Sequence, residues 1–164
     1  MADLRSNRLD RTEGGACIVL GAAPTAGAQP PAPDCWPDQA TVLQTYLDQK
    51  LTEPQTEQPW NPIPIAGNYN PCADLSTVLL GIEKGTGSSP VQALMFHRGA
   101  YLGHVTWKAY GFTSLNAERS TGDMVVLDYK TPGECNACPP ATVTSVRYQW
   151  RGDHVEVLDP LPPI

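Results

Sequence analysis

Between residues 38 and 51 the apolar positions Val42, Leu43, Tyr46, Leu47 and Leu51 recur three to five residues apart. That spacing gathers them on one side of a helix. Pro37 suits the approach to a helix start, and Asp38 offers a side-chain acceptor to the first unpaired backbone N–H groups. Lys50 complements the negative end of the helix dipole. Residues 53–71 are turn-like and Pro-rich, with Trp60, Ile63 and Ile65 expected to anchor them on the core. After Cys72 the period shortens. Residues 75–83 are rich in Val and Leu. Residues 91–97 and 100–108 read as a hairpin about Arg98-Gly99, which sets Leu94, Phe96, Tyr101, Val105 and Trp107 on one face. Residues 124–130 and 142–150 are further strands. Gly152-Asp153 is a turn, and residues 154–158 form the last strand. The proline-rich tail from Asp159 cannot continue a sheet ladder. The pattern predicts an α+β fold, one N-terminal helix packed on an antiparallel sheet of five or six strands, with a closed barrel as the alternative.

The segment before the helix reads differently. Residues 16–28, ACIVLGAAPTAGA, are small, aliphatic and uncharged. They are too few to span a bilayer, which takes about 20 apolar residues. They match the length of a signal-peptide apolar region and end in Ala26-Gly27-Ala28, the pattern read by signal peptidase. Residues 1–28 are therefore expected to be an export leader and residues 29–164 a single working domain. The charges ahead of the apolar run cancel: Arg5, Arg8 and Arg11 face Asp3, Asp10 and Glu13. A start upstream or inside the segment accounts for the missing positive charge. Cys17 is badly placed for a lipid, because Gly14 stands where a lipidation motif has Leu or Val, and the apolar run follows the cysteine instead of preceding it.

Without Cys17, four cysteines remain: Cys35, Cys72, Cys135 and Cys138. An even set suits a disulfide framework, and four cysteines allow three pairings. Cys35–Cys72 with Cys135–Cys138 is the favoured one, the first closing a loop worth roughly 3–4 kcal/mol. The C-x-x-C loop also raises a thiol oxidoreductase. That chemistry needs its first cysteine at a helix N-terminus, whereas Pro139-Pro140 and a β-rich run follow here. A zinc site needs both cysteine pairs in one place.

Charge narrows the partners. The net charge is −6, which repels nucleic-acid phosphates, and no basic stripe meets anionic lipid heads. His97 and His104 flank the hairpin about 13 Å apart along an unbulged strand, too far to share a metal. Together with His154 they read as surface histidines. The loop of residues 85–90 lacks the Gly-Lys-Ser/Thr ending of a phosphate loop. No Gly-x-Ser-x-Gly elbow occurs. Asp123 with Asp128, and Asp153 with Glu156, lie near strand ends, where carboxylates face water. Arg151-Gly152-Asp153 spells an adhesion tripeptide but suits a hairpin turn. Trp60, Trp107, Tyr69, Tyr101, Tyr110 and Phe112 suit core and sheet faces, some of them near loops where a ligand or partner surface forms. No catalytic residue, metal ligand or cofactor site is therefore assigned.

Several stretches in order carry a likeness: residues 68–76 (NYNPCADLS), 85–90 (GTGSSP), 96–103 (FHRGAYLG), 110–114 (YGFTS) and 158–163 (LDPLPP). Together they resemble the LppP/LprE lipoprotein family of actinobacterial cell envelopes, over most of the chain beyond the leader. The resemblance implies an envelope or secreted location and carries no catalytic residues with it. The Cys135–Cys138 loop stands outside it. The expected function is a non-enzymatic module that binds an envelope component or protein. The alternatives are a small extracytoplasmic enzyme, either a thiol oxidoreductase or a hydrolase without a standard motif, and an apolar-ligand carrier with a cavity between helix and sheet.

Overall fold

In a computed structural model, residues 35–162 are described. The helix α1 spans Gln39–Gln49. Asp38 caps it, its carboxylate accepting from the Thr41 backbone N–H at 2.8 Å. Val42, Leu43 and Tyr46 are buried as the spacing predicts, but Leu51 lies past the helix end and is exposed. Eight strands follow: β1 (Ala66–Gly67), β2 (Ser76–Gly81), β3 (Val91–His97), β4 (Ala100–His104), β5 (Thr113–Leu115), β6 (Met124–Thr131), β7 (Thr142–Trp150) and β8 (Val155–Val157).

These strands do not form one sheet. β1-β2-β3-β4 make one antiparallel four-stranded sheet and β5-β6-β7-β8 a second, so the expected single sheet of five or six strands, and the barrel alternative, are both corrected. The physical reason lies in β2 and β3, which are buried on both faces. Their run of apolar residues is that of strands covered twice. Leu79, Ala93 and Met95 pack against Val125, Leu127, Tyr129, Val146 and Tyr148 of the second sheet. Val78, Leu80, Leu94 and Phe96 point the other way, under Val42, Leu43 and Tyr46 of α1. The order of layers is helix, sheet, sheet. Each fully buried Leu or Phe here contributes about 1.5–3 kcal/mol. Strands β1 and β5, of two and three residues, carry too few positions to show a period.

The β3–β4 hairpin turns on Arg98 and Gly99, both at positive φ (46° and 81°), with His97 opposite Ala100. Two positive φ values are what a type I′ loop demands. A Cβ on Gly99 would also sit 2.7 Å from Pro37 Cδ and 2.9 Å from the Trp36 carbonyl oxygen. Beyond the turn the register shifts: Tyr101 faces Phe96 but Gly103 faces Met95, leaving Leu102 as an extra residue. This β-bulge exchanges the faces that follow it. Tyr101 stays beside Phe96, while Val105 passes to the inter-sheet core instead of sharing their side. Trp60 is buried as an anchor, whereas Ile63 and Ile65 are exposed.

Candidate functional site

The stretch after α1 folds back on itself through Thr52, which bridges to Pro59, and Trp60, which bridges to Ile82 at the end of β2. Glu53 is the nail of this turn. Its Oε2 accepts from the backbone N–H of Gln55 (3.0 Å) and Thr56 (2.6 Å) and from the Thr56 hydroxyl (2.8 Å). Glu53 is only 1% exposed, and its carboxylate is held by donors of its own turn. On the opposite side, residues 105–110 are fastened to β3 by paired backbone bonds between Val91 and Tyr110 at 3.0 and 3.1 Å. The buried Thr106 hydroxyl donates to the Lys108 carbonyl at 2.6 Å.

Between these two segments, at the C-terminal end of α1, lies a cavity of about 270 Å³. Its wall includes Tyr46, Lys50, Glu53, Trp60, Gln92, His104, Trp107 and Lys108. Gln92 continues the helix-facing row of Leu94 and Phe96 on β3, beyond the reach of α1. The β-bulge sets His104 opposite Leu94, on that same side. Lys108 Nζ stands 5.3 Å from the centroid of the Trp107 ring and 5.4 Å from that of Tyr110.

Two wall residues stand out. Trp60 is 4% and Gln92 5% exposed. Neither the Trp60 indole Nε1 nor the Gln92 amide Nε2 has a hydrogen-bond partner in the protein. Such a buried, unpaired donor costs about 1–3 kcal/mol. Both residues line the cavity, while the two nitrogens themselves are shielded from solvent.

The other places named from the sequence fall elsewhere. Cys35 pairs with Cys72 and Cys135 with Cys138, with Cα atoms 5.3 and 5.1 Å apart. The first bridge joins the start of α1 to the approach to β2. The second closes the β6–β7 loop, where the Cys138 N–H donates to the Cys135 carbonyl at 3.1 Å. That loop leads into β7, so no helix dipole acts on Cys135. Cys17 and the leader at 1–28 lie outside the described residues. His97 Nδ1 donates to the Asp74 carbonyl at 2.7 Å, and its ring stacks on Trp150 at 4.0 Å. His104 Nδ1 donates to the Thr106 carbonyl at 2.8 Å. His154 Nδ1 is 2.6 Å from Asp153, and this partnership holds the Asp153 carboxyl below its ordinary range. Among the described residues, no three His, Cys, Asp or Glu side chains converge as a metal site requires.

The carboxylates belong to separate networks. Asp123 accepts from the Thr121 hydroxyl at 2.6 Å, which is the main cause of its lowered pKa. Asp128 accepts from the Ser145 hydroxyl (2.5 Å) and the Asn116 amide (3.1 Å). Arg151 of the Arg-Gly-Asp turn pairs with Glu156 at 2.5 Å, across the β7–β8 connection. The loop at 85–90 bonds to itself, the Ser89 N–H donating to the Thr86 carbonyl at 3.0 Å.

An apolar slot of about 190 Å³ opens where edge strands β4 and β8 leave the sandwich uncovered, floored by Met95 and Tyr148. It lies between the sheets, not between helix and sheet. A crevice of about 230 Å³ does run between α1 and the hairpin, past Tyr46 and Tyr101. Both are smaller than the usual ligand pocket of about 300–1,000 Å³. Among the described residues, no helix is long and apolar enough to cross a membrane.

Sequence reasoning named Trp60 and Trp107 within its aromatic set and missed Gln92, Glu53, Lys50, Lys108 and the placement of His104 as parts of one site. The missed signal is Gln92 itself: an amide in register with Leu94 and Phe96 is a polar residue on an otherwise apolar face.

Comparison with known proteins covers the sheets more fully than the helix. Residues 67–153, from β1 to the turn before β8, match the model of the LppP/LprE lipoprotein family. That span contributes Gln92, His104, Trp107 and Lys108 to the cavity, and the chain ahead of it contributes Tyr46, Lys50, Glu53 and Trp60. The predicted lipoprotein LprE of Mycobacterium tuberculosis is 39% identical over 106 residues, 65% of this chain and 49% of the relative. The same figures hold for that of Mycobacterium bovis. The Mycobacterium leprae protein of that name is 30% identical over 157 residues, 90% of this chain and 75% of the relative. The chain thus spans about half the length of the first two relatives. No solved structure matches it.

Proposed function

We propose, for a chain that belongs to the LppP/LprE lipoprotein family, an extracytoplasmic binding domain of the cell envelope. In this reading residues 1–28 are an export leader and residues 29–164 the working domain. The lipoprotein family supports association with the envelope. Two cysteine pairs at disulfide distance support an oxidising compartment, where such bonds persist. The observation that carries binding is the cavity of about 270 Å³ at the end of α1, whose wall joins Trp60, Gln92, His104 and Trp107 to two lysines. The ionisable groups there suit holding a ligand: Glu53 is engaged by its turn, and Lys50 and Lys108 supply charge.

Two measurements test this. Alkylation of the cysteines in intact cells, with and without reductant, reads the compartment. Four protected thiols in an envelope or culture-medium fraction are expected, and four free thiols in the cytoplasm overturn the location. Titration with soluble cell-wall glycan fragments, followed at the Trp60 indole N–H by NMR, reads binding. A saturable shift is expected. An indole signal indifferent to every fragment, while the protein stays folded, refutes the binding seat.

A further inference from the structure

The two disulfides differ in what the fold asks of them. Cys35 and Cys72 stand 37 residues apart, and their bridge ties the start of α1 to the approach to β2. Cys135 and Cys138 stand 3 apart, in a loop whose closure does not depend on them. The two strands it joins already pair in unbroken register, from Met124 opposite Gln149 to Thr131 opposite Thr142. At the base of the loop the Ala141 N–H donates to the Thr131 carbonyl at 3.1 Å, and the Thr131 and Thr142 hydroxyls bond each other at 2.6 Å. Gly133 packs so closely on the Pro139 carbonyl that no side chain fits between them. None of these contacts involves sulfur. A bridge closing so short a loop removes little entropy from the unfolded chain, so its opening leaves the fold in place.

The loop is also open to a reagent. Residues 134–137 are exposed, Cys135 among them, and Cys138 is half-buried on the wall of an open recess of about 600 Å³. The bond from the Cys138 N–H to the Cys135 carbonyl, 3.1 Å long, keeps the two residues within one turn of each other. The thiols therefore stay neighbours once the bridge opens. A disulfide under attack is the electrophile and the thiolate comes from the other molecule, so the lack of a helix dipole at Cys135 is no obstacle.

We infer that Cys135–Cys138 is a thiol-exchange site, which accepts two electrons from two thiols of a partner. A partner thiolate bonds to Cys135 Sγ, and the Cys135–Cys138 bond breaks with its electron pair leaving on Cys138 Sγ. A second partner thiolate then bonds to the partner sulfur of this mixed disulfide and frees Cys135 Sγ. The protons that the partner thiols lost reach the two cysteines through water. Two partner thiols end as one disulfide, and Cys135 and Cys138 end as two thiols, while Cys35–Cys72 stays closed.

The test exposes the oxidised full chain to reduced glutathione and, separately, to reduced thioredoxin. Samples are quenched in acid, alkylated and mapped by peptide mass spectrometry, with the backbone amide spectrum as the check on folding. Cys135–Cys138 is expected to open at least about tenfold faster than Cys35–Cys72, with the amide spectrum unchanged outside residues 132–141. Glutathione is expected on Cys135 in the trapped intermediate. Opening by both reagents makes a small thiol a sufficient partner, and opening by thioredoxin alone assigns a protein dithiol; each supports exchange. Glutathione trapped on Cys138 instead overturns the attack at Cys135. Equal rates at the two bridges, unfolding when Cys135–Cys138 opens, or a bridge that resists both reagents overturns the inference.

Discussion

Replacing Gln92 by leucine is expected to stabilise the protein. Gln92 lies directly across from Leu80 in the β2–β3 ladder and on the same face as Leu94 and Phe96. Its amide nitrogen is buried without a partner. Leucine is close to glutamine in volume, so it fills the site without a new cavity and adds an apolar contact to Leu80. Removing an unsatisfied buried donor recovers about 1–3 kcal/mol. Some of that is lost to imperfect packing at the cavity wall, which leaves a net gain of about 1–2 kcal/mol. In a domain of this size each kcal/mol moves Tm by roughly 3–6 °C. Equilibrium urea unfolding with the disulfides intact measures the effect, as a raised midpoint at unchanged slope. Leu94→Ala, two residues along the same face, serves as the opposite control and should cost about 2–5 kcal/mol. A Gln92→Leu protein less stable than its parent would show that the amide is hydrogen-bonded within the protein.

Three further outcomes follow from the same geometry. Removing Cys35 and Cys72 together, by alanine substitution, should cost about 4 kcal/mol in urea unfolding, against about 2 kcal/mol for Cys135 and Cys138. The reason is that the first pair is 37 residues apart and the second only 3. The Tyr129 and Tyr148 hydroxyls bond each other at 2.7 Å inside the sandwich, so Tyr129→Phe should cost about 1–3 kcal/mol by stranding the second hydroxyl. Burial pushes Tyr148 up to about 12, and a phenol whose folded pKa is raised stabilises the protein below its unfolded value of 10.0. Stability should therefore fall as pH climbs from 10.0 towards 12, seen as tyrosinate absorbance that appears only with unfolding. At the acid end, the bonds that the Arg147 side chain and backbone N–H donate hold Asp159 at about 2, below its ordinary 3.8. A carboxylate lowered in this way contributes above 3.8 and loses its effect as pH falls through about 2. The protection factor for hydrogen exchange at the Leu158 N–H, which donates to the Arg147 carbonyl, should drop across that window, and protection flat in pH would count against the tail being pinned there.

Much of this protein is local, and what is local was legible in its sequence. The helix follows from the row of Val42, Leu43 and Tyr46 with Asp38 ahead of it, because a helix face and its cap involve residues only three or four apart. The Arg98-Gly99 turn follows from a two-residue loop that needs positive φ at both positions. The ordered motifs from Asn68 to Pro163 pointed to the family that the comparison then matched over residues 67–153.

Tertiary structure decided the rest, because each remaining feature depends on residues far apart in the chain. An unbroken apolar run in β2 reads as a strand but does not say what covers each face. Only the docking of α1 on one side and the second sheet on the other separates eight strands into two layers. A strand pattern assumes strict alternation, and the bulge at Leu102 breaks it, sending Val105 to one side and His104 to the other. The cavity follows from both. Gln92 looks like one polar residue in a strand until Trp60 from 32 positions before it and Lys108 from 16 after it close around the same space. Whether a buried amide has a partner is a property of that enclosure, which no stretch of sequence contains on its own.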